Sequence, residues 1–512
     1  MAFTSVSFLI FLLATLVLYY LLPKKLQWVL LLIASYGFYW IGGGKTVLYL
    51  VFTTLTVYLS GRALGALNAR PKADAAAAAR IRRQKKWVVL ATVLVDFGLL
   101  FVVKYGSFTV ELLQPLAGGK LPAVDFVLPL GISFYMFQSV GYVIDCYRGK
   151  YPVERNLLKL ALFTSFFPQI VQGPISRFRD LGPQLTAPHR LDWDKIKYGI
   201  QLAMWGYFKK LVIADRLNLF ITGVLGSYQL YDGLAFWVTA LFSTFQLYAD
   251  FSGCMDIVQG ISELFGITVE KNFDHPFTSR SVAEWWRRWH ITLCQWMKDY
   301  VYFPLAVSPH LIKVSGKLKK RFGAKAGKNF VTIVTIGVVW LLTGLWHGVK
   351  VCYLIWGLYY ALFLIIDTIA QPKRLTVRLG IDGDSPAWQR FQMVRTTLIF
   401  SVGRLITVPD DFSISLHLFQ GMFTHFNPWI FWDGSLLTAG LDGANFLLSL
   451  LLIALLLVVE HSQVTHGSIR DRVATLKLPV RWAVWYGLLA GILILGIYGP
   501  GYSASSFAYM NF

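Results

Sequence analysis

Two histidines carry the chemistry that this sequence offers. His347 follows eighteen residues without a charge, Asn329 to Trp346, and closes Thr343-Gly344-Leu345-Trp346-His347-Gly348. His290 closes the aromatic and basic cluster Glu284-Trp285-Trp286-Arg287-Arg288-Trp289-His290. An ionisable group in an apolar span is costly, so it faces a protein interior or a wet cavity and marks function. Imidazole, with an unperturbed pKa of about 6.5, takes and gives protons near neutrality. The bland alternatives are a satisfied structural histidine at 347, with Trp346 in an aromatic belt, and an interfacial helix at 290. In that helix Trp285, Trp286 and Trp289 would lie at headgroup level. Arg287 and Arg288 would then meet lipid phosphate, although their guanidinium forks equally suit a phosphorylated substrate. Lys298, Asp299 and Tyr300 follow as a candidate inner-side docking surface.

Carboxylates form a second class of candidates. Asp96, Asp145, Asp250, Asp256 and Glu263 fall in or near apolar runs, most densely in Asp250-Phe251-Ser252-Gly253-Cys254-Met255-Asp256. A proton or ion path would use such groups, but buried pairing that ties broken helices together is the favoured reading. Cys146, Cys254, Cys294 and Cys352 are far apart and form no CxxC pair, so neither a disulfide framework nor a zinc site is indicated. Cys294, four residues after His290, is read as packing. No GxSxG elbow, GxxxxGK[ST] loop or HExxH motif occurs. His189 with Asp194, and His466 with Asp471, match an HxxxxD spacing, but both pairs lie in polar loops.

The elements that must position these groups are membrane helices. The chain has 512 residues, 56% hydrophobic and only 15% charged, with mean hydropathy +0.54, whereas a soluble domain holds roughly 25% charged residues. The net charge of +21 sits in short loops beside apolar runs. That is the pattern of cytoplasmic loops and anionic headgroups, not of nucleic-acid binding. Spans are expected at Ser5–Leu22, Leu26–Ile41, Thr46–Ser60, Trp87–Val103, Phe126–Cys146, Phe330–His347, Val351–Ile366, Gln392–Thr407, Ala444–Glu460 and Ala483–Gly499. The basic loops Arg62–Lys86, Lys313–Lys328, Lys373–Arg378 and Arg470–Arg481 then fall inside, and both termini outside. Lys24 and Lys25 follow the first apolar run, so that segment is expected to be retained. Between Asn156 and Ser308, Pro168, Pro174, Pro276 and Pro304 predict broken or re-entrant helices, which survive at membrane depth only when buried or lining a cavity. A straight helix from Phe330 carries His347 about 26 Å along its axis, toward the outer half. Gly344 and Gly348 flank it and are read as leaving room for a narrow passage.

Several stretches resemble the membrane-bound O-acyltransferase (MBOAT) family, in particular its bacterial branch of alginate O-acetylation and teichoic acid D-alanyl-transfer proteins. They are Pro129-Leu-Gly-Ile-Ser-Phe-Tyr-Met-Phe-Gln138 with Tyr142-Val-Ile-Asp145, Ser165-Phe-Phe-Pro-Gln169 with Gly173-Pro174-Ile175, Asp250-Phe-Ser-Gly253, Asn272-Phe273, Trp286-Arg-Arg-Trp-His290 and Leu345-Trp-His-Gly348. The ending, Tyr498-Gly-Pro500 and Phe507 to Phe512, is similar to the acetylation subgroup. Two departures leave the acyl group open: Cys254, where this branch is often aromatic, and Pro304-Leu-Ala-Val, without the Gly-Gly common in the acetylation subgroup.

The resemblance implies one all-α polytopic domain over 1–512, a helical ring with re-entrant helices and a central tunnel. Its motif core would run over about 125–370, with extra C-terminal spans at about 390–500. It implies His347 as the catalytic histidine and His290 as the second motif histidine. Trp286, Arg287, Arg288, Trp289, Trp346, Asn272 and Asp250 are the substrate or tunnel candidates. The expected activity is O-acyl transfer, acetyl favoured, to hydroxyls of an extracytoplasmic polysaccharide or wall polymer. The expected co-substrate is an acyl thioester, acetyl-CoA or an acyl carrier protein, with no permanently bound cofactor or metal. Expected partners are an extracytoplasmic acceptor or acetylesterase-like protein, a cytoplasmic carrier and the bilayer of the bacterial cytoplasmic membrane. D-alanylation of teichoic acid is the close alternative. A transporter or flippase, with the aspartates as a proton path, and a wall-complex scaffold are the readings from other classes.

Overall fold

The computed structural model describes residues 2–71, 73–115, 118, 126–369, 380–409, 411–498 and 507. Helices are the regular elements of these residues, and one isolated antiparallel bridge joins Phe273 to Trp289. Two compact units divide the chain: Met1–Ala203 with Val258–Glu270, and Met204–Ile257 with Lys271–Phe512.

The first unit is built on α1 (Val6–Leu21), α2 (Gln27–Gly43), α3 (Val47–Asn68), α4 (Ala75–Leu113), α5 (Ile132–Tyr147), α6 (Leu157–Ser165) and α7 (Phe178–Thr186). The basic stretch Arg62–Lys86, expected as a loop that is only partly helical, is mostly helix. Asp74 caps α4 through Ala77 N–H, and Ala75–Ala79 are strong helix formers, so only residues 69–74 join α3 to α4. Helix α5 has 16 residues and is buried almost throughout, too short for a straight crossing at about 20 residues. Gly131 starts it with φ +66, where a Cβ would run into the Ile170 carbonyl, so the left-handed turn needs glycine.

Helices α8 (Trp193–Tyr207) and α10 (Leu234–Leu264) run across the unit boundaries in sequence. The second unit adds α9 (Asp215–Gly226), α11 (Val282–Arg288), α12 (Ile291–Met297), α13 (Phe303–Ala306), α14 (Pro309–Phe322), α15 (Ala324–His347), α16 (Val351–Ile369), α17 (Pro386–Arg404), α18 (Phe412–Thr424), α19 (Gly443–His466), α20 (Ile469–Ala474) and α21 (Leu478–Leu495). The broken helices expected between 156 and 308 are present as α6, α7, α11, α12 and α13, with π-helical segments at Phe208–Ala214 and Lys298–Tyr302. Helix α17 starts ahead of the expected Gln392, because Ser385 caps it and Pro386 takes its first position. Lys313–Lys328, read as a loop, forms α14 and the first turn of α15. Lys373, Arg374, Arg378 and most of the C-terminal motif lie outside the described residues.

Among the described residues, six helical stretches are long and apolar enough to cross a membrane: Lys24–Asn68, Ala75–Leu113, Ala324–His347, Val351–Ile369, Gly443–His466 and Leu478–Leu495. Helix α21 leaves Val480, Trp482, Val484, Leu489, Leu493 and Ile494 exposed, and α19 does the same with Leu447, Leu450, Leu451, Leu455 and Val458. So much contiguous apolar surface is unstable in water and stable against lipid tails. The chain is a multi-pass membrane protein.

Candidate active site

Helices α15 and α16 form a tight hairpin, and that hairpin places His347. A Cβ at Gly344 would meet the Tyr353 carbonyl, and one at Gly357 would meet the Trp340 carbonyl. A Cβ at Gly348 would meet the Tyr353 ring. These glycines therefore let α16 close onto α15. The narrow passage expected beside Gly344 and Gly348 is corrected: Tyr353 occupies that side.

His347 ends α15 with 6% of its surface exposed. Its ring packs edge-on to Trp356 at 4.8 Å between centroids and parallel to Tyr353 at 6.2 Å. It reaches a recess lined by Leu247, Trp286, Trp289, His347, Tyr353, Trp356, Phe400, Arg404 and Thr407. Five aromatic side chains thus surround an imidazole, a guanidinium and a hydroxyl. Arg404 donates to Thr407 Oγ1 at 2.9 Å.

His290 sits between α11 and α12 with φ +47, a left-handed conformation uncommon for a residue with a side chain. Asn272 holds it there. Asn272 Oδ1 accepts from Thr292 N–H at 3.0 Å and Thr292 Oγ1 at 2.9 Å, and lies 3.3 Å from His290 Nδ1. The Asn272 carbonyl accepts from Ile291 N–H at 3.0 Å, and the Phe273–Trp289 bridge continues the pairing. Because Thr292 N–H can only donate, Asn272 Oδ1 is the acceptor, and His290 Nδ1 carries the hydrogen toward it. A neutral His290 ring then presents Nε2 as an acceptor. Phe251 meets the same ring edge-on at 4.8 Å. Trp346 lies against both histidines, at 5.9 Å from His290 and 4.7 Å from His347. Asn272→Ala should release the 289–292 turn and lower folded stability by about 1–3 kcal/mol, the cost of unmade buried hydrogen bonds. A thermal melt in detergent reads this, and an unshifted midpoint would contradict the role given to Asn272.

The other candidates divide. Trp286 and Trp289 line the recess with His347. Trp346 bridges the two histidines. Arg288 is tied to Glu284 at 2.9 Å and to the Asp274 carbonyl at 3.2 Å, and Arg287 is exposed; neither is among the recess residues. Asp250 is fully buried in an ion pair with Lys210 at 2.7 Å, and Asp215 joins the same ammonium at 2.9 Å. Lys209 pairs with Asp256 at 2.8 Å and donates to Ser252 Oγ at 2.8 Å. The carboxylates of this segment are therefore tied to the π-helical segment Phe208–Ala214. Sequence reading missed Tyr353, Trp356, Phe400 and Arg404 at the recess and missed Lys209 and Lys210 as partners. Two adjacent lysines inside Trp205–Ile213 were the available signal. No cluster of three metal-ligating side chains occurs among the described residues.

Residues 152–315 match the MBOAT, membrane-bound O-acyltransferase family. The span includes His290 and Asn272 and ends before His347. A probable alginate O-acetylase, AlgI, of Pseudomonas aeruginosa is 34% identical over 437 residues, covering 84% of this chain and 76% of the relative. The chain belongs to the membrane-bound O-acyltransferase family. A peptidoglycan O-acetyltransferase of Helicobacter pylori is 28% identical over 309 residues, 55% of each chain. A teichoic acid D-alanyltransferase of Bacillus subtilis is 28% identical over 251 residues, 48% of this chain and 60% of the relative. As an MBOAT protein the chain is an acyltransferase.

Proposed function

We propose that this MBOAT enzyme O-acetylates an extracytoplasmic polysaccharide or cell-wall polymer from the bacterial cytoplasmic membrane. The donor is a cytoplasmic thioester, acetyl-CoA or an acyl carrier protein. The observation that carries the reading is His347, a nearly buried imidazole at the end of a membrane-length helix and on an aromatic recess. Aromatic faces suit the apolar faces of sugar rings. The acetylase similarity over 84% of the chain, against 48% for the D-alanyltransferase, favours acetyl.

In the proposed step the acceptor oxygen attacks the thioester carbonyl while His347 takes the hydroxyl proton. The tetrahedral intermediate then collapses, the carbon–sulfur bond breaks, and the proton passes from His347 to the leaving thiolate. The oxyanion formed in between needs a preorganised donor. His290 is poorly suited as a neutral ring, because its Nδ1 hydrogen is directed at Asn272. Trp286 is the donor we assign. Its indole lines the recess, and its Nε1 is buried without a hydrogen-bond partner among the described residues. Trp286→Phe keeps most of the aromatic surface and removes the N–H, and should lower kcat by about 10²–10³-fold with KM little changed. Transfer assays in proteoliposomes check this; an unchanged kcat would place the donor elsewhere.

The proposed function is tested by mass analysis of surface glycans from a deletion strain and its complemented counterpart. Acetyl esters that vanish on deletion and return with the gene support it. Loss of D-alanyl esters would replace the acyl group, and unaltered glycans would overturn the reading.

A further inference from the structure

Arg404 brings a fixed positive charge to the recess, and the acyl-transfer step does not use it. It is half-buried and ends α17. That end of the helix is pinned to α16. The Tyr359 and Tyr360 hydroxyls donate to the Ile399 and Phe400 carbonyls at 2.7 and 3.2 Å, and Gly403 has no side chain where those two rings pass. Phe400 lies one turn before Arg404 on the same face of α17. Its ring packs on Trp286 and Trp289 at 5.8 and 4.8 Å. Trp286 meets Trp356 at 5.8 Å, and Trp356 meets His347 at 4.8 Å. This run of rings sets the last turn of α17 on the recess that His347 lines. Thr407 steadies the guanidinium: its hydroxyl accepts from Arg404 Nη1 at 2.9 Å and donates to the Arg404 carbonyl at 3.2 Å.

None of the described residues that line the recess is Asp or Glu. Guanidinium and indole N–H groups only donate, and Trp286, Trp289 and Trp356 join Arg404 there. The lining therefore offers donors and positive charge, and a ligand that matches it brings an anionic acceptor. The planar guanidinium fork fits a carboxylate through two parallel bonds. A cation in the last turn of a helix also complements the helix dipole. That accounts for the charge but not for its place on the recess.

An anion reaches this recess on the donor or on the acceptor. In a pantetheine thioester the nearest phosphate lies a whole pantetheine arm from the reacting carbonyl. In an acidic sugar the carboxylate is carried by the same ring as the hydroxyls. His347 acts on the reacting hydroxyl and Arg404 lines the same recess, so the anion it meets belongs close to that hydroxyl. Helices α15 and α17 both start beside basic stretches expected on the cytoplasmic side. His347 and Arg404, at the opposite ends of those helices, belong to the side from which an extracytoplasmic acceptor comes. We propose that Arg404 binds a ring carboxylate of the acceptor glycan and makes the enzyme selective for acidic sugars. This role for Arg404 rests on the acyl-transfer reading of the same recess.

The test is acetyl transfer from acetyl-CoA by the full-length protein in proteoliposomes. The acceptor is surface glycan purified from the deletion strain, either intact or with its carboxylates reduced to alcohols. For the wild type, reduction should raise the acceptor KM by about 10–100-fold, the loss of a hydrogen-bonded charge pair. Arg404→Gln should raise KM for the intact glycan by a similar factor and cease to distinguish the two forms, with kcat and the KM for acetyl-CoA little changed. Arg404→Lys keeps the charge without the fork and should recover part of the loss. Equal wild-type KM values for the two forms overturn the assignment and leave the acyl-transfer reading standing. An Arg404→Gln protein with a raised KM for acetyl-CoA gives the anion to the donor and overturns it too. So does a variant that loses kcat yet still prefers the intact glycan, because Arg404 then only holds its helix. Should Arg404→Gln fail to fold, the wild-type comparison and Arg404→Lys decide. If the wild type transfers acetyl to neither form, the acyl-transfer reading falls by itself. The anion site is then read from the thermal midpoint in detergent, which the intact glycan should raise more than the reduced one; equal shifts overturn it.

Discussion

His347→Ala should abolish acyl transfer while the protein still folds and inserts. General-base assistance by a positioned imidazole contributes about 10²–10⁴-fold, and no other basic ring lines the recess among the described residues. Folding should survive because α15 is held by its glycine contacts with α16 and by the Trp286, Trp340, Trp356 and Tyr360 rings, at centroid separations between 4.6 and 5.8 Å. His347 only adds to that packing. The measurement is transfer from a thioester donor in proteoliposomes, beside a thermal melt of the same preparation. His347→Gln, closer in size and unable to act as a base, should be equally inactive. Retained transfer in either variant, with an intact melt, would remove His347 from the chemistry.

The second large effect is on stability. Lys210→Met should destabilise the second unit by about 3–5 kcal/mol, because removing one partner leaves buried carboxylates uncompensated. Here two are left, Asp250 and Asp215, and both are nearly or wholly buried. Replacing Lys210 and Asp250 together with Met and Leu should recover part of the loss, since an apolar pair of similar volume is often neutral or better. Recovery stays partial because Asp215 keeps its charge. Thermal midpoint and yield of folded protein in detergent report both variants. A single variant that melts like the wild type would mean that water screens the network. Activity per folded molecule should be spared, because neither residue is among those that line the recess.

The two histidines were legible because each breaks a local pattern: His347 ends an uncharged run, and His290 ends a cluster of tryptophan and arginine. The carboxylates of Asp250–Asp256 were legible as buried pairs for the same reason. Their lysine partners were not, because the pairing spans about forty residues of sequence through a π-helical segment, and spacing along one helix does not reveal it. Trp356 and Phe400 were hidden because, in a helix apolar all round, sequence does not tell a lipid-facing aromatic from one facing a site. The glycines beside His347 misled for a related reason. An absent side chain marks close approach, and only the neighbouring helix decides whether that approach is filled. The ends of α3 and α4 were missed because charge marks where a helix leaves the bilayer and not where it stops.

The aromatic walls around His347 bear on waste as well as on rate. An activated ester held beside a basic imidazole is open to attack by any small nucleophile, and water is the most abundant. Tyr353, Trp356, Phe400, Trp286 and Trp289 offer water few partners, while a ring-shaped alcohol can lie against their faces. On the proposed reading, such a lining would slow hydrolysis of a bound donor between productive encounters.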